Sequence, residues 1–162
     1  MNSGRKSIPS EEASKTRLRL WLRTLKVSRM IEAELREKLR KQFATTLPRF
    51  DVMAGLYQYH EGLKMSELSG LLKVSNGNVT GIVDRLVKDG LVLRSEVPGD
   101  RRALRVRLSG NGRAEFSRQA AAHEIWIDEL LGNLSVTDAE AVLGHFDSII
   151  PGLGPDRKKA EY

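Results

Sequence analysis

The 162-residue sequence contains no cysteine, which excludes disulfides, thiolate zinc sites and redox sensing through thiols. It also lacks any apolar run approaching the roughly 18 residues that indicate a membrane-spanning helix. The N-terminal stretch MNSGRKSIPSEEASK has no apolar segment after its basic residues, so it does not resemble a secretory signal. From these absences we expect a cytoplasmic protein.

The sequence patterns of common catalytic sites are missing as well. His123 and Glu124 begin like a zinc-protease helix, but Ile127 occupies the position where the second histidine must stand. The segment Gly110–Arg113 lacks the lysine of a phosphate-binding loop, and there is no Gly-x-Ser-x-Gly elbow. We therefore expect that the protein is not an enzyme and has neither a metal site nor a cofactor.

What the chain has in abundance is positive charge. It contains 27 Lys and Arg against 21 Asp and Glu, which gives a net charge of +6 and a pI near 9.8. This balance suits a polyanionic partner such as nucleic acid or an anionic membrane surface, although it does not determine the fold. The 40% hydrophobic and 30% charged content is typical of a soluble globular protein.

Apolar stripes at helical spacing occur near both ends of the chain. The first predicted helix runs from about Ser14 to Lys41, with a stripe of Leu18, Trp21, Leu22, Leu25, Ile31, Leu35 and Leu39. The last runs from Leu134–Ser135 to about Ile150, with Val136, Ala139, Val142, Leu143, Phe146, Ile149 and Ile150 on its apolar side. These stripes predict either an intramolecular bundle or contact with a second copy. Residues 1–13 and 151–162 are predicted to be disordered or loose tails.

The middle of the chain predicts three helices, then two strands and a further helix. The predicted helices are Pro48–Tyr59, ended by Gly62, then Glu67–Leu72, capped by Ser66, and a third from Ser75 to Lys88-Asp89-Gly90. The predicted strands, Leu91–Val97 and Ala103–Ser109, are joined by the turn Pro98–Arg102. A further helix is predicted from Ser109 to about Leu131. We expect Leu68, Leu71 and Leu72 to be buried, and Leu104, Val106 and Leu108 to alternate with a basic face. Two short helices joined by a tight turn are typical of a helix-turn-helix.

The helix after Ser75 begins with small polar residues, Asn76, Asn78 and Thr80, interleaved with Gly77 and Gly81. Asparagine can pair bidentately with an adenine edge, and threonine can bond to a base or a phosphate. Each glycine costs a helix about 1 kcal/mol relative to alanine, which indicates that something approaches this helix closely. The alternative interpretation is that these residues only start and solubilise a helix.

The turn between the two strands is rich in arginine. It contains Asp100, Arg101 and Arg102, and Arg94, Arg105 and Arg107 lie on the flanking strands. A hairpin tip can enter the minor groove, where the negative potential attracts arginine. The alternative is a solvated charged turn.

The strings SNGNVTGIVDRLVKDGLVLR and PGDRRALRVRLSGNGR resemble the MarR family of bacterial winged-helix regulators. The resemblance covers about residues 14–150. It implies an α+β, mostly helical fold, with a winged helix-turn-helix lobe at about 48–109 and dimerisation helices at about 14–45 and 110–150. It also implies that Asp100 orients Arg102, that Arg102 enters the minor groove, and that Ser75, Asn76, Asn78 and Thr80 face the major groove. Gly81 departs from the family, which often has a basic residue there.

The resemblance further implies a homodimer in which the first, fifth and sixth helices interlock, and a ligand-responsive repressor that binds a pseudo-palindromic operator. We expect a small aromatic or anionic effector, such as an aromatic carboxylate or its thioester. Its predicted crevice lies between the first, second and fifth helices, with the candidate residues Trp21, Arg23, Arg49, Tyr57, Tyr59, His60 and Trp126. These aromatics could instead pack in the core and the arginines be solvated. The open alternatives for the whole protein are an architectural DNA binder and a winged helix that binds only proteins.

Overall fold

The computed structural model describes residues 10–97 and 100–153, with side chains for all of these except residues 76, 97 and 100–103. Its elements are α1 (Glu11–Phe43), α2 (Leu47–Tyr57), β1 (Leu63–Lys64), α3 (Met65–Leu72), α4 (Asn76–Lys88), β2 (Val92–Val97), β3 (Asp100–Leu108), α5 (Gly110–Leu131), α6 (Val136–Ile149) and a 3₁₀ turn (Ile150–Gly152). The predicted fold class, mostly helical with a winged helix-turn-helix, is confirmed. The chain divides into two compact units, Met1–Glu124 and Ile125–Tyr162.

Helix α1 begins at Glu11 rather than at the predicted Ser14. The side chain of Ser10 caps it by accepting a hydrogen bond from the backbone N–H of Ala13 at 3.3 Å. The predicted N-terminal tail, residues 1–13, therefore includes the first three residues of α1. Residues 1–9 lie outside the described residues. At the other end α1 stops at Phe43, where Ala44 adopts a left-handed conformation with φ of 49°.

The core of the first unit lies where α2, α3 and α4 pack together with the sheet. Its most deeply buried side chains are Leu39, Val52, Met53, Leu56, Leu68, Val79, Val83, Leu86, Val92 and Val106. The prediction for α3 is wrong in two respects. The helix begins at Met65, because Glu67 Oε2 accepts a hydrogen bond from the Lys64 backbone N–H at 2.7 Å, and not with a cap at Ser66. Leu71, predicted to be buried, is 47% exposed.

The three strands form an antiparallel sheet in the order β1-β3-β2. Val106 of β3 lies opposite Leu63 on one side and Arg94 on the other. The predicted alternation holds for Val106 and Leu108, which are buried, while Arg107 is exposed. Leu104 departs from it, since this residue is exposed. Strand β3 also begins at Asp100, so residues predicted to form the turn belong to the strand.

Ser109 and Gly112 fix the junction between β3 and α5. The hydroxyl of Ser109 accepts a hydrogen bond from the Gly112 N–H at 2.9 Å and donates one to the Gly90 carbonyl oxygen at 2.7 Å. A Cβ on Gly112 would lie 1.9 Å from the carbonyl oxygen of Leu91, so only glycine permits this packing. Gly62, predicted to end α2, instead lies in the turn before β1, with φ of 81°.

In the second unit, α6 begins at Val136, close to the predicted start, and Ser135 caps it with a hydroxyl that accepts a hydrogen bond from the Asp138 N–H at 3.1 Å. None of the residues of α6 is buried, and its apolar side is open, with Val136 76% and Leu143 60% exposed. Trp126, near the C-terminal end of α5, is buried. Across the described residues, no helix has the length and apolar character that crossing a membrane requires.

Candidate nucleic-acid interface and adjoining cavity

Helix α4 has a bare face opposite its buried side. Val79, Val83 and Leu86 are buried in the lobe. On the opposite side, Gly77 and Gly81 are exposed, and a Cβ added to either would find no heavy atom within 4 Å. The backbone is therefore the outermost surface over the first turns of this helix, and it can come unusually close to a partner.

The predicted base-reading residues lie beside this bare face. Asn78 and Thr80 are exposed on its two flanks. Ser75 is the N-cap residue, and its side chain makes no capping hydrogen bond. The side chain of Asn76 lies outside the described residues. The structure thus brings Ser75, Asn78 and Thr80 together at the exposed start of α4, where backbone N–H groups also favour an anion.

The turn that the sequence singles out is only partly described. The backbone of Asp100, Arg101 and Arg102 opens β3, but their side chains lie outside the described residues. The predicted pair between Asp100 and Arg102 therefore remains a prediction. Further along β3, Arg105 is half-buried and Arg107 is exposed.

Two ion pairs join α4 to its neighbours, and neither was predicted from the sequence. Asp84 contacts the guanidinium of Arg94 on β2. Asp89, the C-cap residue of α4, accepts a hydrogen bond from Arg49 of α2 at 2.6 Å. A signal for the first pair was available, because Arg94 lies two residues after the buried Val92 and so points to the helical side of the sheet.

A cavity of about 930 Å³ lies between α2, α3 and α4. Its apolar lining comprises Pro48, Val52, Ala54, Leu71, Leu72, Val74 and Ile82, and its polar lining includes Arg49, Asp51, Gln58, Asn78 and Arg85. Partial burial raises the pKa of Asp51. The negative charge of Glu32 raises this pKa further, whereas the positive charge of Arg36 lowers it. The cavity therefore combines apolar walls with Arg49 of α2, Arg85 of α4 and the carboxylate of Asp51.

Of the seven predicted ligand residues, Arg49 lines this cavity and the other six do not. Tyr57 packs between α2 and α5, with its ring 4.8 Å from Phe116 and the guanidinium of Arg113 5.1 Å above it. Trp126 is buried, whereas Trp21, Arg23, Tyr59 and His60 are exposed.

The aromatic packing between α2 and α5 extends to His123, whose ring stacks on Phe50 at 4.8 Å. Burial lowers the pKa of His123 below its usual value, because the charged imidazolium is penalised in this contact. The alternative interpretation of the aromatics as packing residues fits this part of the structure.

Comparison with known proteins points to one family. Residues 45–104 match the model of the MarR family. The structure is similar to that of a MarR family transcriptional regulator from Silicibacter pomeroyi, with 32% identity, coverage of 90% of this chain and 100% of that chain, and a TM-score of 0.75. It is also similar to a mutant MarR from Escherichia coli complexed with operator DNA, with 25% identity, coverage of 82% and 94%, and a TM-score of 0.72.

Among curated proteins, the HTH-type transcriptional repressor MdtR of Bacillus subtilis is 32% identical over 94 residues. The match covers 58% of this chain and 59% of MdtR, so the chain spans about three fifths of that relative. These similar proteins are transcriptional regulators, in agreement with the prediction that the chain is not an enzyme.

Proposed function

The chain belongs to the MarR family of transcriptional regulators, and we propose that it is a cytoplasmic, ligand-responsive repressor that binds a pseudo-palindromic DNA operator as a homodimer. The observation that carries this proposal is the exposed start of α4, where Asn78 and Thr80 flank a bare glycine face. The operator complex of Escherichia coli MarR and the repressor MdtR support it by similarity.

The bare glycine face of α4 matters because a helix fits tightly in the major groove of DNA. The major groove is about 12 Å wide, and a helix with its side chains is about 10–12 Å across. With glycine at 77 and 81, α4 can enter deeply enough for Asn78 and Thr80 to reach base edges. Arg101 and Arg102, at the start of β3, would then reach the adjacent minor groove.

The proposed homodimer rests on apolar surface in each of the two units. In the first unit, α1 leaves Leu18, Trp21, Leu22 and Met30 each more than half exposed. In the second unit, α6 buries none of its residues. Large contiguous apolar surfaces mark interaction sites in soluble proteins, and a second copy interlocking α1, α5 and α6 would cover these faces.

The proposed ligand response uses the cavity beside α4. Asn78, Ile82 and Arg85 belong both to α4 and to the cavity lining. An aromatic carboxylate or its thioester would fit apolar walls that also carry an arginine. A ligand here shifts the protein away from DNA only if it binds the DNA-incompetent arrangement more tightly.

Gly81→Ala should stabilise the protein and yet weaken DNA binding. Alanine at an exposed helical position is favoured over glycine by about 1 kcal/mol, and the space around Gly81 is open in the protein alone. With DNA in the groove, the added methyl group would meet the bases. The measurements are urea unfolding and titration of a duplex that the wild-type protein enriches from a randomised library.

Gly144→Ala on α6 is the matched control, since its surroundings are equally open and it lies away from the apolar side of that helix. It should raise stability without weakening DNA binding through α4. If Gly81→Ala bound the enriched duplex as tightly as the wild type, the close approach of DNA to this face would be wrong.

Aromatic carboxylates should weaken binding to the enriched duplex, with a coupling of about 1–3 kcal/mol. Arg85→Gln should reduce this coupling. Lys88→Gln, which removes the same charge from the same helix outside the cavity lining, should keep it. Fluorescence anisotropy of the labelled duplex across a panel of carboxylates and thioesters provides the measurement. Peroxide should have no effect, because the chain has no cysteine, and release by peroxide alone would contradict the ligand hypothesis.

A further inference from the structure

Asp84 places a negative charge on the helix that we propose enters DNA. It lies one helical turn after Thr80 on the same side of α4, so it would sit near the same part of the groove. An unpaired carboxylate at this position would repel the phosphates. In the structure, however, Asp84 is paired with the guanidinium of Arg94.

The strand geometry determines where Arg94 points. Along β2, Val92 and Arg94 share one face, and Val92 is buried in the lobe. Arg94 is paired across the sheet with Val106, which is also buried. Its side chain is therefore directed toward α4, whereas Arg105 and Arg107 belong to the opposite face of the sheet. Arg94 differs in this way from the other strand arginines that the sequence groups with it.

The pair contributes little to the stability of the fold. The side chain of Arg94 is 32% exposed and that of Asp84 is 53% exposed, and ion pairs this exposed are weak because water screens them. What the pair does is join two elements with separate proposed contacts to DNA. Asp84 is on α4, which faces the major groove, and Arg94 is on the strand that leads to the arginine-rich turn.

We propose that Asp84 and Arg94 are positioning residues that hold the wing strand at a fixed distance and angle from the recognition helix. This inference rests on the proposed DNA-binding function. It assigns Arg94 to the internal geometry of the lobe and not to a phosphate contact. The pair makes the two groove contacts depend on each other, and so it favours the operator over other sequences without touching a base.

Asp84→Asn provides a test in which an effect of charge and an effect of positioning would change the affinity for the enriched duplex in opposite directions. Removing a carboxylate makes the protein more positive, and charge alone would tighten binding to any DNA. Loss of positioning would instead weaken binding to the enriched duplex while leaving a scrambled duplex unaffected or bound more tightly. We expect the ratio of the two affinities to fall by about two- to fivefold for each recognition helix, the range of an exposed ion pair.

Three further variants separate the explanations. Arg94→Gln should lower the same ratio, and Asp84→Glu, which keeps the charge, should restore most of it. The exchanged pair, Asp84→Arg with Arg94→Asp, should recover part of the ratio at unchanged net charge. Glu96→Gln is the control for charge near the wing, because Glu96 is exposed and pairs with no other described side chain. It should change both affinities alike.

The outcomes are distinguishable. Tighter binding of Asp84→Asn to the enriched duplex would show that charge repulsion outweighs positioning, and equal losses of Arg94→Gln on both duplexes would show that Arg94 contacts phosphate. Either result would overturn the positioning role. Failure of the wild-type protein to enrich any duplex would overturn the proposed function and this inference with it. Thermal melting of each variant shows whether the fold is retained.

Discussion

Leu143→Asp together with Phe146→Asp should convert the protein to a monomer and reduce operator binding by orders of magnitude. Both side chains lie on the apolar side of α6, where they are 60% and 42% exposed. If a second copy covers them, burial contributes about 1.5–3 kcal/mol for each side chain, and a carboxylate in the same place adds a desolvation penalty. A monomer also loses the gain from binding two half-sites at once, which is about 10²–10⁴-fold. Sedimentation velocity and titration of the enriched duplex measure the two effects.

Thr137→Asp is the matched control for this double substitution. It adds one carboxylate to the same helix, where the double variant adds two, on the side opposite Leu143 and in the first turn, where a carboxylate is favourable. We expect this variant to remain dimeric and to bind DNA as the wild type does. A double variant that stayed dimeric, with unchanged DNA affinity, would contradict the proposed dimer interface.

Arg102→Ala should weaken operator binding by about 1–3 kcal/mol per site if this side chain enters a groove. Asp100→Ala should weaken binding too, although it removes a negative charge, because Asp100 is proposed to hold Arg102 in position. The double variant should then be no weaker than Arg102→Ala alone, since both substitutions remove the same contact. Duplex titrations at several salt concentrations separate this effect from a general loss of charge.

Arg107→Ala serves as the charge control for the wing, since it removes one positive charge from an exposed position on the same strand. Its effect should be smaller than that of Arg102→Ala and similar on specific and scrambled duplexes. Tighter binding by Asp100→Ala would mean that Asp100 repels DNA, and the orienting role would be wrong.

Local sequence signals predicted most of the fold. The start of α5 after Ser109, the start of α6 near Ser135 and the ending of α4 at Asp89 and Gly90 were predicted correctly, because helix ends depend on a few neighbouring residues. Strand β1 was missed, since two residues carry no periodicity and Leu63 becomes a strand only by pairing with Val106. The burial of Leu71 was overestimated for a related reason, because its helix borders a cavity instead of a neighbouring side chain.

The candidate site likewise has one part that the sequence predicts and one part that depends on how several elements pack. Asn78, Thr80 and the two glycines follow from the pattern of one helix, and the structure places them on its exposed side. The cavity requires three helices to be positioned together, and the pairs Asp84–Arg94 and Arg49–Asp89 join elements whose relative placement the sequence does not show. This is why the sequence groups Arg94 with Arg105 and Arg107 on the strands that flank the turn, although Arg94 pairs with Asp84 of α4.

The most direct test of the central claim is the stoichiometry of the wild-type protein on its enriched duplex, measured by sedimentation velocity with a labelled duplex. We predict that the enriched sequence is an inverted repeat whose half-sites lie about one helical turn apart. We also predict that the complex contains two copies of the chain per duplex and that a duplex with one half-site scrambled binds much more weakly. A complex with a single copy, or equal affinity for the intact and half-scrambled duplexes, would contradict the account.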